Sequence, residues 1–320
     1  MELKDLKRKL NEICPSLETK IRENVSMASY CSFRAGGYAE LFVEPSTVEE
    51  LKAALRAATK LQVPHVILGN GSNTLFEDGV YEGAVIRPDN LAPEFGDIDI
   101  WVSPEDDDNI LCRAGAGALI SRVARMTAQE PWSASGMEGL TGIPGSVGGA
   151  VFMNAGAYGY ETGKVLQSVH AVSPDGMDER DFTKDEVTPG YRHSAFMDNG
   201  YIITSAVFSL FRDKQEDIQD RISDFTRART EKQPLNFASA GSTFKRPEGH
   251  FAGKLIEDAG LKGEAVGAAE VSELHAGFIV NTGGASATDI LRLIELVQQK
   301  VFETSGVTLE PEVRVIRSAK

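Results

Sequence analysis

A loop of small and polar residues, LGNGSN (68–73), is the first segment whose composition suggests ligand chemistry. Its two glycines let consecutive backbone N–H groups approach an anion closely, and Ser72 and Asn73 add side-chain hydrogen-bond partners. It lacks the Lys-Ser/Thr pair of a Walker loop and the spacing of a GxGxxG fingerprint. Phosphate binding and a tight turn after a strand explain the loop equally well.

The segment GLTGIPGSVGGAVFMNAGAYG (139–159) contains seven glycines, three alanines and no charged residue. Its first glycines recur at every third position, and together with Pro144 this spacing argues against a helix. Such a segment can form a smooth backbone wall against a large flat ligand, or a glycine-rich crossing between sheets. In combination with GNGSN it favours a bound dinucleotide with an extended pyrophosphate.

Three polar clusters hold the other side chains that could bind or protonate a substrate: YRHSAF (191–196), SAGSTFKRP (239–247) and LEPEVR (309–314). Taken singly, the first is explained as a surface arginine, the second as a loop with a solvated basic pair and the third as a solvent-facing strand. No periodicity brings the three together. A fourth segment, RAGAGALI (113–120), has only a GxG and indicates close packing of a strand on a helix.

Segments with periodic apolar residues, between and around these motifs, predict the helices and strands that must position them. Spacing of apolar residues predicts helices over 1–13, 46–60 (with Ser46 and Glu49 as a capping box), 117–129, 213–232 and 288–304. Short apolar or alternating runs predict strands over 83–88, 110–115, 169–174, 201–210 and 307–315. The acidic segment between the first two of these strands, 95–109, is expected to be a solvated surface hairpin or insertion.

Composition limits the function classes. A net charge of −14 argues against nucleic-acid binding, although a local basic cluster can still bind an anionic substrate. The 3 cysteines and 5 histidines show no metal-ligand spacing, so no metal site is expected. No secretory signal and no apolar run of membrane-spanning length is present, which predicts a cytoplasmic protein without a membrane partner. Nothing long and apolar demands a partner subunit, so a monomer is expected.

The ordered set FRAGG (33–37), LGNGSN, the glycine-rich segment, YRHSAF, AGSTFKRP and LEPEVR resembles the UDP-N-acetylenolpyruvoylglucosamine reductase (MurB) family of peptidoglycan synthesis. The resemblance runs from about residue 25 to the C-terminus. It implies an α+β chain with a two-lobed, non-Rossmann FAD-binding fold (PCMH-type), followed by a smaller α/β substrate-binding domain. The domains expected are 1–80 and 81–212 for the FAD lobes and 213–305 for the substrate, with 306–320 returning to the first lobe.

The family reaction implied by this resemblance is ping-pong. NADPH reduces FAD and NADP leaves, and UDP-N-acetylglucosamine enolpyruvate then accepts a hydride at C3 and a proton at C2. Arg192 matches the arginine of the family's YRxSxF motif, Ser242 the serine of its GSxF loop and Glu312 the second glutamate of LExEV. Arg192 and Glu312 are expected to stabilise the enolate that develops on the substrate, and Ser242 to donate the proton.

The resemblance also places FAD against the two glycine-rich segments, at Gly69, Asn70, Gly71, Ser72, Asn73, Gly136, Gly142, Ile143, Pro144, Ser146, Gly149 and Ala150. Positive charge for the UDP diphosphate is expected from Lys245, Arg246 and Lys254, and Arg314 is expected to orient Glu312 or meet the substrate carboxylate. Only 50 residues separate Arg192 from Ser242, which fits the family subtype without a long tyrosine-bearing loop.

Two other functions remain open from the sequence. An FAD-dependent oxidase or dehydrogenase of the same fold would act on a sugar or alcohol; many such enzymes tether FAD through a histidine, and the glycine-rich loops contain none. A non-catalytic nucleotide-sugar sensor would keep the binding segments but would not use Arg192, Ser242 and Glu312 for chemistry.

Overall fold

The computed structural model describes residues 3–317 of the chain. In this range the helices are α1 (Leu3–Ile13), α2 (Val48–Leu61), α3 (Pro93–Gly96), α4 (Ile120–Thr127), α5 (Val147–Phe152), α6 (Thr162–Val165), α7 (Lys184–Val187), α8 (Phe196–Asn199), α9 (Gln215–Lys232), α10 (Ala252–Asp258) and α11 (Ala287–Ser305). Short 3-10 helices lie at Pro15–Lys20, Met27–Ser29 and Glu138–Leu140.

The strands in the same range are β1 (Ile21–Ser26), β2 (Tyr38–Val43), β3 (His65–Ile67), β4 (Thr74–Phe76), β5 (Val80–Ile86), β6 (Ile98–Val102), β7 (Asn109–Gly115), β8 (Ala134–Ser135), β9 (Gly156–Ala157), β10 (Tyr160–Glu161), β11 (Leu166–Val172), β12 (Glu179–Thr183), β13 (Ile202–Arg212), β14 (Ala238–Ser239), β15 (Ala265–Val266), β16 (Ala269–Val271), β17 (Ile279–Asn281) and β18 (Arg314–Ile316).

The chain divides into two compact units, which we call unit 1 (residues 3–22, 41–70 and 84–227) and unit 2 (23–40, 71–83 and 228–317). The chain passes between them within β1, β2 and β5, which form one sheet with β3 in the order β1-β2-β5-β3. β3 pairs with β5 in parallel, with His65 opposite Ala84.

The main sheet of unit 1 is antiparallel, in the order β12-β11-β13-β7-β6, with β8 beside the end of β13. β6 and β7 form a hairpin whose turn carries the acidic residues 105–108, so the predicted surface hairpin is confirmed. α4 and α5 pack against the same apolar core as the central strands β7 and β13. A second core joins α1, α2 and the unit 1 ends of β2 and β5.

Unit 2 contains a four-stranded sheet in the order β14-β17-β16-β15, whose buried side chains pack against α10 and α11. β18 pairs in parallel with β4, with Arg314 opposite Thr74 and Ile316 opposite Phe76. The predicted strand over 307–315 is therefore mostly irregular, and only its last residues form a ladder. Pro311, which lacks an N–H, takes part in an isolated bridge with Phe244 instead.

Capping residues explain where the longer helices begin and end. α11 begins after Ser286, whose side chain accepts the Asp289 N–H, and ends at Gly306 in the left-handed conformation. The predicted cap of α2 is wrong by one residue. Thr47 is the N-cap, and the N–H of Ser46 donates to the Glu50 carboxylate at 2.7 Å.

The glycine-rich segment contains a helix that its composition did not predict. α5 begins after Ser146, whose hydroxyl accepts the Gly149 N–H at 3.3 Å. The Val147 and Gly148 N–H groups donate to the carbonyls of Ala118 and Ala116, at 2.8 Å each. Because these tertiary bonds and the Ser146 cap satisfy the first N–H groups, a glycine-containing helix can form here.

Candidate active site

In unit 1, the two glycine-rich segments meet although more than 70 residues separate them in the sequence. The Asn70 side-chain amide donates to the Pro144 carbonyl at 2.6 Å. A Cβ atom added at Gly69 would lie 2.6 Å from the Ser146 hydroxyl, so this contact requires glycine. The structure thus brings together four of the residues expected to hold the cofactor.

The backbone N–H groups of these segments are the donors available to a ligand. Within residues 3–317, none of those at positions 69, 70, 142, 145 and 146 of unit 1 donates to a protein acceptor. The same holds in unit 2 for positions 71, 72 and 73, and Gly71 is buried. Because buried N–H groups in proteins are almost always paired, the donors of the buried residues Gly71, Gly145 and Ser146 fit a bound phosphate or flavin ring.

Gly71 and its neighbours in unit 2 also offer polar groups that a cofactor could bind. Gly71 has φ 62°, and a Cβ there would lie 1.9 Å from the Tyr30 carbonyl. Its own carbonyl accepts the Ser32 N–H at 3.0 Å. The Ser32 hydroxyl is buried and has no hydrogen-bond partner in the described chain. A polar cofactor beside these residues would give a partner to both the Ser32 hydroxyl and the Gly71 N–H, so the residues present fit FAD.

The other expected cofactor residues are placed as follows. Gly136 has φ 128°, and its N–H donates to the Glu138 carboxylate at 2.8 Å. The side chain of Ala150 packs in the core, and Ile143 packs partly against it. Ile143 and Ala150 therefore offer a cofactor their backbone and an apolar surface rather than polar side-chain contacts.

A buried ion pair that the sequence did not reveal supports the Gly136 turn. Glu138 is 1% exposed. Its carboxylate accepts the Ser135 hydroxyl at 2.6 Å and two N–H groups of Arg221, from α9, at 2.8 and 3.0 Å. Arg221 also pairs with Asp213 at 2.6 Å. Burial lowers the pKa of Arg221, but its bonds to Asp213 and Glu138 outweigh this effect and raise it.

We expect Arg221→Met to lower the free energy of unfolding by about 3 kcal/mol, because it leaves the Glu138 carboxylate buried without its counter-ion. Arg227→Met is the matched control, since Arg227 lies on the same helix and pairs with Asp224 on the surface. That variant should change stability by less than about 0.5 kcal/mol. Urea unfolding at saturating FAD, followed by circular dichroism, measures both. If both variants lose the same small amount of unfolding free energy, the ion pair between Arg221 and Glu138 contributes little to stability.

Arg192 occupies the tip of a tight turn in unit 1. Gly190 and His193 exchange backbone hydrogen bonds of 3.0 and 3.3 Å, which leaves Tyr191 and Arg192 as the two central residues. Arg192 has φ 53°, a conformation that costs a non-glycine residue on the order of 1–2 kcal/mol. Its guanidinium donates to the Gly156 carbonyl at 3.4 Å. Strain at a cationic residue in such a turn is typical of a functional position.

Ser242 and Glu312 are brought together in unit 2, although 70 residues separate them. The Glu312 N–H donates to the carbonyl of Thr243, the residue after Ser242, at 2.8 Å. The Glu312 carbonyl accepts the side-chain amide of Asn73 at 3.0 Å, and the Asn73 carbonyl accepts the Arg314 N–H at 3.0 Å. Asn73, expected as a cofactor contact, therefore also fixes the segment that carries Glu312. Ser242 itself is exposed.

The basic residues expected near a diphosphate are all in unit 2, and each has a partner. Lys245 pairs with Glu310, and Lys254 pairs with Asp258 one turn further along α10 at 2.6 Å. The Arg246 guanidinium lies 3.9 Å from the centre of the Phe251 ring. Desolvation lowers the pKa of Arg314, which remains charged at neutral pH because arginine titrates so high.

Three residues that support the candidate site, Asn154, Glu138 and Arg221, were missed by sequence reasoning. Asn154 is 2% exposed and has φ 43°, and its side chain reaches the Arg192 turn. The only signal was an asparagine among glycines and alanines, and that composition predicted only backbone contacts. Glu138 and Arg221 gave no signal, because their spacing corresponds to no motif.

Across residues 3–317 no three or more His, Cys, Asp and Glu side chains are arranged to hold a metal ion. In that same range no helix combines the length and apolar character that crossing a bilayer requires.

Comparison with known proteins matches two families in succession. Residues 39–179 match the FAD binding domain family, and residues 233–316 match the C-terminal domain of UDP-N-acetylenolpyruvoylglucosamine reductase. Among curated relatives, the UDP-N-acetylenolpyruvoylglucosamine reductase of Clostridium botulinum (strain Hall) is 46% identical over 290 residues, 91% of this chain and 90% of its own length. That of Clostridium novyi (strain NT) is 42% identical over 312 residues, 98% and 96% of the two chains.

A solved structure confirms the predicted fold class. The crystal structure of MurB from Thermus caldophilus superposes with a TM-score of 0.76 at 35% identity, and covers 92% of this chain and 99% of its own. With the glycine-rich segments joined, the Arg192 turn formed and Thr243, the residue after Ser242, bonded to Glu312 through the backbone, the chain belongs to the UDP-N-acetylenolpyruvoylglucosamine reductase (MurB) family.

Proposed function

We propose that this protein uses FAD and NADPH to reduce UDP-N-acetylglucosamine enolpyruvate to UDP-N-acetylmuramate, a precursor of peptidoglycan. The observation that carries the proposal is the backbone pairing of Thr243 with Glu312, held by Asn73 of the GNGSN loop. Within unit 2 it joins the residue next to a candidate proton donor, the backbone of the candidate enolate-stabilising residue and the last residue of the cofactor loop.

FAD, when bound, would supply the redox chemistry of the reaction, which moves a hydride from NADPH to C3 of the enolpyruvyl double bond. In unit 1 the backbone donors at Gly69 and Asn70 would hold cofactor phosphates, and Gly142 to Ser146 would form a wall beside the cofactor. In unit 2 the backbone donors at Gly71–Asn73 would serve the same purpose. With one proton taken from solvent, the balance is NADPH, H⁺ and the enolpyruvyl ether giving NADP⁺ and the lactyl ether.

Arg192 and Glu312 act on the charge that develops when C3 gains a hydride. The electron pair of the double bond moves to C2 and spreads into the substrate carboxylate. A guanidinium fixed by its turn stabilises that charge without reorganising, and a protonated Glu312 adds a hydrogen bond. Ser242 then donates a proton to C2, a task for which position matters more than acidity because the carbanion is strongly basic.

The substrate diphosphate is assigned to the basic residues of unit 2. Lys245, Arg246 and Lys254 would meet its charge after exchanging their present partners for phosphate oxygens, and Arg314 would orient Glu312 or the substrate carboxylate. The domain boundaries expected from the sequence, the cytoplasmic location and the monomeric state are part of the same proposal. Sedimentation of the purified protein checks the last of these.

Visible absorption of the purified protein tests the function. Under anaerobic conditions we expect NADPH to bleach the flavin bands and UDP-N-acetylglucosamine enolpyruvate to restore them, with one UDP-N-acetylmuramate formed per flavin. Recovery with air but not with the UDP-sugar would favour an oxidase, to be followed by oxygen uptake with sugars and alcohols. Binding of the UDP-sugar without recovery of the flavin bands would indicate the sensor function.

A further inference from the structure

The Arg192 turn is anchored to the end of the glycine-rich segment by two buried side chains. The Asn154 side-chain amide donates to the Gly190 carbonyl, at the first arm of the turn, at 2.8 Å. The Ser194 hydroxyl, on the second arm, donates to the Phe152 carbonyl at 2.8 Å. Asn154 is 2% exposed and Ser194 is fully buried. Both arms are therefore bonded to the chain that leaves α5.

Asn154 uses both side-chain N–H donors and its side-chain acceptor. Its side-chain oxygen accepts the N–H of buried Gly163 at 2.8 Å, and its amide also reaches the Glu161 carboxylate at 3.3 Å. The Gly190 carbonyl accepts two bonds, one from Asn154 and one from the His193 N–H that closes the turn. An amide with a donor and an acceptor at this spacing is found only in Asn and Gln, and Gln is one methylene longer.

Asn154 also holds an unfavourable backbone conformation. Asn154 and Arg192 both have positive φ, of 43° and 53°. Asparagine tolerates this region far better than arginine does. The strain at Arg192 persists only where its surroundings determine the turn, and the bonds at Gly190 and Ser194 are the contacts that fix both arms.

We infer that Asn154 is a positioning residue for Arg192, which sets the guanidinium where charge develops on the substrate. The inference rests on the proposed function, since it assumes that Arg192 acts in the second half-reaction. Asn154 touches neither substrate nor cofactor in this role. Its effect passes through the Gly190 carbonyl to the turn.

The test compares Asn154→Ala and Asn154→Asp in anaerobic stopped-flow measurements. Asn154→Asp keeps the acceptor for Gly163 but replaces the donor to Gly190 with an oxygen beside Glu161. We expect both variants to reduce the flavin with NADPH at the normal rate and to transfer to the UDP-sugar about 10- to 100-fold more slowly, because displacement of a catalytic group by about 1 Å can cost this much. Thr204→Val, which loses one buried bond to the His170 carbonyl in the same unit, should leave both rates unchanged.

A double-mutant cycle with Arg192→Met separates positioning from general damage. If Asn154 acts through Arg192, Asn154→Ala should slow the second half-reaction no further once Arg192 is gone. Full additivity would overturn the inference. Binding of the UDP-sugar to the oxidised protein and the melting temperature provide readouts independent of turnover.

Outcomes also separate this inference from the function. If Arg192→Met slows the transfer to the UDP-sugar and Asn154→Ala does not, the positioning role is rejected and the proposed function stands. If Arg192→Met and Asn154→Ala both show normal rates in both half-reactions, the role given to Arg192 is rejected.

Discussion

Ser242→Ala is expected to bind FAD and oxidise NADPH normally but to lose about a thousandfold in the transfer to UDP-N-acetylglucosamine enolpyruvate. Loss of a positioned proton donor typically costs on the order of 10²–10⁴ in rate. The Ser242 side chain is exposed and bonds to no other group in the described chain, so its removal leaves no protein group unsatisfied. The unfolding free energy should therefore remain within about 0.5 kcal/mol of the parent.

Ser239→Ala is the matched control for this prediction. Ser239 lies three residues earlier, in β14, and carries no proposed role. The two half-reactions are measured separately in stopped flow, and the transfer in ²H₂O gives a second readout. The parent should show a solvent isotope effect on transfer if proton donation to C2 limits the step. A Ser242→Ala protein with a normal transfer rate would remove Ser242 from the mechanism.

Arg192→Met is expected to slow the same transfer by roughly 10²–10³-fold, the usual effect of removing one preorganised group that faces developing charge. Arg192→Lys should recover only part of this loss, because an ammonium group is a point charge without the planar fork of arginine. NADPH oxidation should be spared in both variants, since the charge that Arg192 stabilises appears only on the second substrate. Single-turnover kinetics resolve the two steps.

Arg227→Met serves again as the control for loss of a surface cation, and it should leave both half-reactions unchanged. Substrate affinity distinguishes two roles for Arg192. Weaker binding of the UDP-sugar with an unchanged transfer rate at saturation would show that Arg192 binds the ground state rather than the charge that develops. Equal activity of the lysine and methionine variants would show that charge is not what this position supplies.

The catalytic candidates could be identified from the sequence because they lie in short motifs with their neighbours. YRHSAF, AGSTFKRP and LEPEVR point to these residues as an ordered set, through their resemblance to the motifs of the family. Helix ends such as Ser286 and Gly306 were predictable for a similar reason, since capping depends on residues a few positions apart. The shift of the α2 cap to Thr47 shows the limit of local signals where two adjacent residues can both cap.

The sequence by itself determined the family motifs, the cofactor class and the main helices, because these depend on local residue type and periodicity. Tertiary structure alone decided that a helix forms at Val147–Phe152, since its first N–H groups are satisfied by the carbonyls of Ala116 and Ala118. It also decided that Asn73 bonds to the Glu312 segment and that Asn154 holds the Arg192 turn. The cause is physical: a hydrogen bond between residues tens to hundreds of positions apart leaves no periodic trace in the chain.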